Sequence, residues 1–317
     1  MIKIENLTKY YGDFKAVDDI SFEVNDGEIL GFLGPNGAGK TTTLKMLTCF
    51  MPPTEGRISF NDLDVHEHSM EIRKMIGYLP ENTPLYEYMS VVEYLNYVCD
   101  LREINGQKRK DRLEAMIETT GLRKMLGKDI GELSKGYRQR VGIAQAMIHE
   151  PKILILDEPT VGLDPNQVVD IRNLIMQIGS EKTVIISTHI LSEVEAVCNR
   201  VVIISSGEIV ADGGTQDLMR ELAGKTVIHL ELKGVVHEVP DVLSQIDGIE
   251  EVQNVSNDSS NGNTLVDVTI PSDKDIREAL FRTVVERGWI LYGMNQHKTN
   301  LEEVFRQLTK SQGGGIE

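Results

Sequence analysis

The chain opens with short β-type runs separated by turns over residues 1 to about 30, closing on Asn25-Asp26-Gly27. Glu28–Leu33 is a near-continuous apolar run of one buried strand's length, and it feeds a glycine-rich loop. Thr41–Met51 has helical spacing and is stopped by Pro52-Pro53. A further β section surrounds Gly56–Phe60. From about 84 to 150 the pattern turns helical. Ser90 and Glu93 have the S-x-x-E spacing of a capping box. A second helix over 107–120 gathers Leu113, Met116 and Ile117 on one face, with Gly121 placed to end it. Lys152–Glu158 and Thr183–Ser187 are again buried strands. Strands alternating with helices predict an α/β fold, a mostly parallel sheet with an inserted helical section.

After the strand Val201–Ser205 come a Ser206-Gly207 turn, a strand to Ala211, a turn at Asp212-Gly213-Gly214 and a short helix. A boundary near Gly224 separates a first domain, 1–222, from a second, 225–310. The second reads β (226–233), α (239–246), β (249–255), β (264–270), α (274–287), β (289–295), with a last helix near 300–309. That β-α-β-β-α-β order predicts an α+β, ferredoxin-like domain. Asn257–Asn263 is a polar hairpin loop, and the tail 311–317, with Gly313–Gly315, is expected to be disordered.

Composition narrows the function classes. The 317 residues suit about two domains. Thirty-three Lys and Arg against 49 Asp and Glu give a net charge of −16, which speaks against a nucleic-acid partner. Cys49, Cys99 and Cys198 are widely spaced and form no C-x-x-C pair, the pattern of reduced thiols in a cytosolic protein. No signal peptide is expected at the N-terminus, and no apolar run reaches the roughly 18–20 residues that span a bilayer. Service to a membrane would come from outside the lipid.

The chemistry sits in a few short stretches. Gly34-Pro35-Asn36-Gly37-Ala38-Gly39-Lys40-Thr41 satisfies G-x-x-x-x-G-K-[ST] between a strand and a helix. Its glycines let backbone N–H groups surround phosphate oxygens, Lys40 reaches the β/γ-phosphates, and Thr41 offers a hydroxyl to Mg²⁺. Ile153–Leu156 is an apolar strand ending in Asp157 and Glu158. Asp157 is placed to hold Mg²⁺ and Glu158 to polarise an attacking water. Ser134 N-caps a helix with Gly136 in its first turn, which fits either a second anion site or a capped helix alone. His189, Asp164 and Tyr11 carry no signal by themselves. The histidine fits a structural role, and the tyrosine fits either core packing or stacking on a base.

Together these residues closely resemble the ATP-binding subunit of an ABC transporter, in order and at normal spacing over residues 1 to about 222. The resemblance implies a P-loop NTPase fold with ATP and Mg²⁺ as cofactors. It makes Tyr11 the aromatic that faces the base, and Gly34–Thr42, including Thr42, the phosphate loop. Asp157 and Glu158 become the magnesium strand, Asp164 of Gly162–Pro165 the D-loop, and His189 the switch histidine. It implies a second ATPase subunit facing the first head to tail, so that Ser134 and Gly136 act on the partner's ATP, and an integral membrane permease as a further partner. Two motifs depart from the pattern. Lys135 and Tyr137 replace the first Gly and the Gln of L-S-G-G-Q, and Glu81 of Gly77–Glu81 stands where the Q-loop has Gln. Glu81 is expected to keep a place beside Mg²⁺ and the reacting water. The stretch Gly77–Tyr86 and the ending Asn300–Phe305 are similar to a bacterial subgroup that exports drugs, sodium or polysaccharide or serves gliding motility.

The expected function is an ATPase that powers a separate permease, an exporter, from the cytoplasmic face of the cell membrane. Two rivals stay open at this point. A soluble ABC ATPase of the ribosome or DNA type normally carries two cassettes or a long coiled coil, and one phosphate loop with no sustained heptad run is present. A low-turnover regulator is the other, left open by Glu81.

Overall fold

The computed structural model describes residues 1–215, 217–218, 225–233, 238–257, 263–271 and 274–298. The helix expected near 300–309, the tail 311–317 and the loop around 258–262 lie outside the described residues. The chain divides into two compact units, Met1–Thr215 and Gln216–Glu317.

The first unit runs β1 (Ile2–Tyr11), β2 (Phe14–Val24), β3 (Ile29–Leu33), α1 (Lys40–Leu47), β4 (Glu55–Phe60), β5 (Leu63–Asp64), α2 (Ser69–Met75), β6 (Ile76–Leu79), α3 (Val91–Leu101), α4 (Gly106–Thr120), α5 (Lys135–Met147), β7 (Ile153–Asp157), α6 (Pro165–Gly179), β8 (Thr183–Thr188), α7 (Leu191–Val197), β9 (Arg200–Ser205) and β10 (Glu208–Gly214). Six strands form the main sheet in the order β10-β9-β3-β8-β7-β6. All its pairings are parallel except β9 with β10. Every residue of β3, β7 and β8 is buried, so these strands read as continuous apolar runs rather than as alternation. A second, antiparallel sheet, β2-β1-β4-β5, shares one core with β3 and α1 through Ile4, Phe22, Phe32, Leu44 and Phe60.

Register decides where the chemistry goes. Leu33 pairs with Thr188, Asp157 with Ser187, and Leu79 with Leu156. The loops after β3, β6, β7 and β8 therefore leave the sheet along one carboxyl-terminal edge, where open parallel sheets bind ligands.

The helical section appears as expected. Ser90 and Glu93 make the reciprocal capping box, and Gly121 ends α4 at φ +68°. Three details differ from the sequence reading. Helix α1 stops at Leu47 because Cys49 is left-handed (φ +55°) and the N–H groups of Phe50 and Met51 fold back onto the Lys45 carbonyl. The expected turn at 212–214 is instead the end of β10. There Arg200 grips Asp212 through two 2.7 Å bonds, and Gly213 and Gly214 pair with Val201 and Arg200. The short helix α2 has too few turns to show a period.

The second unit carries β11 (Lys225–Leu232), a helix Val239–Leu243, β12 (Glu251–Asn257), β13 (Thr264–Pro271), a helix Arg277–Glu286 and β14 (Leu291–Lys298). The sheet order is β12-β13-β11-β14 with every pairing antiparallel, the ferredoxin-like arrangement. Ile228, Leu230, Val266, Val268 and Ile270 bury one sheet face against Val239, Leu243, Leu280 and Val284 of the helices.

Candidate active site

The phosphate loop begins where β3 ends. A Cβ on Gly34 would fall 2.4 Å from the Ile204 carbonyl oxygen, and one on Gly39 would fall 2.6 Å from that of Ala16. Gly37 and Gly39 are left-handed at φ +82° and +107°. Glycine is thus required by close approach at Gly34, by conformation at Gly37 and by both at Gly39. Pro35 starts the turn, accepting the Ala38 N–H at 3.2 Å, and Asn36 faces solvent. Helix α1 starts at Lys40, so the free N–H groups of its first turn, Thr41 and Thr42 included, stand at the loop.

Lys40 is 5 % exposed. Its ammonium donates to the carbonyls of Gly34 (2.7 Å) and Pro35 (3.1 Å) and lies 3.3 Å from Glu158 Oε1. Glu158 is itself left-handed, at φ +49°, a conformation that costs a non-glycine residue about 1–3 kcal/mol. Its N–H is held by both the carbonyl and the hydroxyl of Ser187, each at 3.1 Å. The carboxylate meets His189 Nδ1 at 3.0 Å through Oε2. Lys40, Glu158 and His189 form one continuous string.

Asp157 lies beside it, fully buried. Burial pushes its carboxyl above the usual range, partly countered by the Ser187 and Thr41 hydroxyls. The Ser187 hydroxyl donates to Oδ1, whereas the buried Oδ2 has no hydrogen-bond partner. A desolvated carboxylate oxygen with no donor, next to a threonine hydroxyl, is a donor set that fits a hard divalent cation.

Glu81 is exposed in the turn that follows β6, where the Thr83 N–H reaches the Pro80 carbonyl at 3.0 Å. The Thr83 hydroxyl donates to Gln139 at 2.9 Å and ties this turn to α5. The phenol of Tyr78 is pushed up by burial and then by the charges of Asp157 and Glu81, so the two acids share its surroundings.

Ser134 caps α5, accepting the Tyr137 N–H at 3.5 Å, and Asp164 caps α6, accepting those of Asn166 and Gln167 at 3.0 Å. The two caps belong to one cluster. A Cβ on Gly136 would strike the Gln167 side chain at 2.6 Å, and one on Gly162 would lie 2.4 Å from the Lys135 ammonium. Lys135 therefore rests on the turn before α6 of its own chain. Tyr11 is half exposed and donates its hydroxyl to Met51 Sδ at 3.2 Å. Direct contacts thus unite Lys40, Glu158 and His189, while Ser134, Gly136 and Asp164 make a second group. Sequence reasoning missed Ser187, which holds both acids; its only signal is a hydroxyl closing an apolar strand.

Residues 17–161 match the family model described as ABC transporter. The chain is 38 % identical over 224 residues to the ABC transporter ATP-binding protein NatA of Bacillus subtilis, covering 69 % of this chain and 91 % of that one. It is 31 % identical over 310 residues to the linearmycin resistance ATP-binding protein LnrL of the same organism, covering 98 % of each. Among solved structures, an ATP-binding subunit of an ABC transporter superposes with a TM-score of 0.63 at 30 % identity, over 70 % of this chain and 92 % of the other. A dimeric cassette in a post-hydrolysis state with ADP and Pi gives 0.61 at 25 % identity, over 68 % and 98 %. With the phosphate loop in place and relatives of these names matched, the chain belongs to the ABC transporter ATP-binding proteins as an ATP-binding, ATP-hydrolysing subunit.

Proposed function

We propose that the chain powers a separate multi-span permease that exports its cargo, bound to it at the cytoplasmic face of the membrane. The names of two relatives, linearmycin resistance and bacitracin transport, support export. No helix among the described residues is long and apolar enough to cross a bilayer, which leaves passage through the membrane to a partner. Residues 1–222 are the ATPase domain, with its helical section at about 84–150, and 225–310 an accessory domain.

The string Lys40–Glu158–His189 carries the reading. Drawn onto the β/γ-phosphates, the Lys40 ammonium leaves Glu158, whose carboxylate is then free to orient and deprotonate water for in-line attack. His189, fixed through Nδ1, turns its other nitrogen toward the γ-phosphate. Thr41 and Asp157, with Glu81 alongside, would hold Mg²⁺, which neutralises phosphate charge when bound. Tyr11 stacks on the base. Two identical chains pair head to tail, so that Ser134 and Gly136, beside the Asp164 turn, close on the partner's ATP. The test is co-expression with any multi-span membrane protein found to be encoded beside this chain. A detergent-stable complex whose ATP turnover differs from that of the chain alone is expected; a chain that never associates contradicts the reading.

A further inference from the structure

Glu193, four residues beyond His189 in the first turn of α7, is 5 % exposed. A buried carboxylate costs several kcal/mol unless donors meet it. Two hydroxyls do. Thr160 donates to Oε1, and Thr188 donates to Oε2 at 2.8 Å. Both threonines are themselves buried. The Thr188 oxygen also accepts the Ile190 N–H at 3.0 Å, and its carbonyl accepts the Gly34 N–H at 3.3 Å.

The placement of these threonines gives the contact its meaning. Thr160 follows Glu158 by two residues, and Thr188 directly precedes His189. The parallel ladder between β7 and β8 ends at Asp157 and Ser187. Beyond that register the ladder stops, and the only cross-strand hold that the described residues show on the strained Glu158 backbone is Ser187, which accepts its N–H. One carboxylate, with an oxygen for each loop, spans the gap.

We infer that Glu193 is a positioning residue that clamps the Glu158–Thr160 turn to the Thr188–Ile190 turn and so sets the distance between Glu158 and His189. This rests on Glu158 and His189 acting as described under Proposed function. Glu193 is buried against Thr160 and Thr188 and reaches Glu158 and His189 through them. Its loss affects the alignment of the reacting groups, where a displacement of about 1 Å can cost roughly 100-fold in rate. The Lys40 contacts to the Gly34 and Pro35 carbonyls lie within the phosphate loop and do not depend on the clamp, so ATP affinity stays.

The experiment is steady-state ATP turnover of the full chain as Glu193→Ala, Glu193→Gln and Thr188→Val, with Glu158→Gln measured alongside. Glu193→Ala should lower kcat roughly 10- to 100-fold with KM for ATP changed less than about threefold. Glu193→Gln should recover kcat to within about threefold of wild type, because the amide can turn its oxygen to Thr188 and its NH₂ to Thr160, whose hydroxyl then accepts. If Glu193→Ala does not fold, Thr188→Val carries the test: a lowered kcat at unchanged KM supports the clamp, and an unchanged kcat overturns it. A wild-type kcat in Glu193→Ala, or a loss confined to KM, overturns it as well. Turnover retained in Glu158→Gln would instead remove the base assignment on which the clamp depends.

Discussion

At Glu81 a carboxylate stands where the resemblance expects a glutamine amide. Both offer oxygen to a metal or a water, and only the amide adds donors. Glu81→Gln should therefore keep ATP turnover, whereas Glu81→Ala should uncouple hydrolysis from transport, read as cargo movement per ATP in reconstituted vesicles. Normal coupling in Glu81→Ala would make Glu81 a surface residue without a role. Residues of this kind are legible because their motifs are contiguous: G-x-x-x-x-G-K-T and the Asp157-Glu158 pair announce themselves in one stretch. Ser187 and Glu193 do not. A lone Glu in a seven-residue helix looks like solvated surface, and only the approach of Thr160 and Thr188 from elsewhere makes it a buried acceptor. Lys135 shows the same limit. Its ammonium lies over Gly162 of its own chain, a contact that the sequence does not announce.

Among the elements, buried parallel strands and capped helices are written locally, as the Ser90 capping box and the Gly121 stop show. Pairing is not. Nothing in the alternation of β1, β2 and β4 says that they form a sheet apart from β3, and Gly213-Gly214 reads as a turn until Arg200 and Asp212 are seen across the ladder. The junction between α5 and β6 yields a pH prediction. His149 follows α5, and its Nε2 bonds the Ile76 carbonyl at 3.0 Å while Nδ1 is buried without a partner. Burial, and after it the Arg102 charge, pushes this imidazole down to about 4. Unfolded it titrates near 6.5. Neutral His149 therefore contributes stability above about pH 6.5, and that contribution is lost as the pH falls toward 4, up to about 3 kcal/mol. Urea midpoints between pH 7 and 4.5 should fall less steeply for His149→Gln than for wild type; parallel curves would show that His149 takes no part.

At the scale of the whole molecule, each unit holds a core of its own, around Phe32 and Phe60 in one and around Leu230 and Val268 in the other. A chain ended after Gly224 should keep ATP binding by equilibrium titration and pair more weakly without nucleotide by sedimentation. Loss of ATP binding would make the second unit part of the catalytic fold. The central claim, that Glu158 is the base of an ATPase closed by two copies of the chain, is tested most directly by sedimentation and turnover of Glu158→Gln with ATP. The amide keeps the shape of the site and removes its basicity. Turnover should fall roughly 10²- to 10⁴-fold while ATP stays bound in a stable dimer that ADP does not support. Hydrolysis at the wild-type rate would contradict the account.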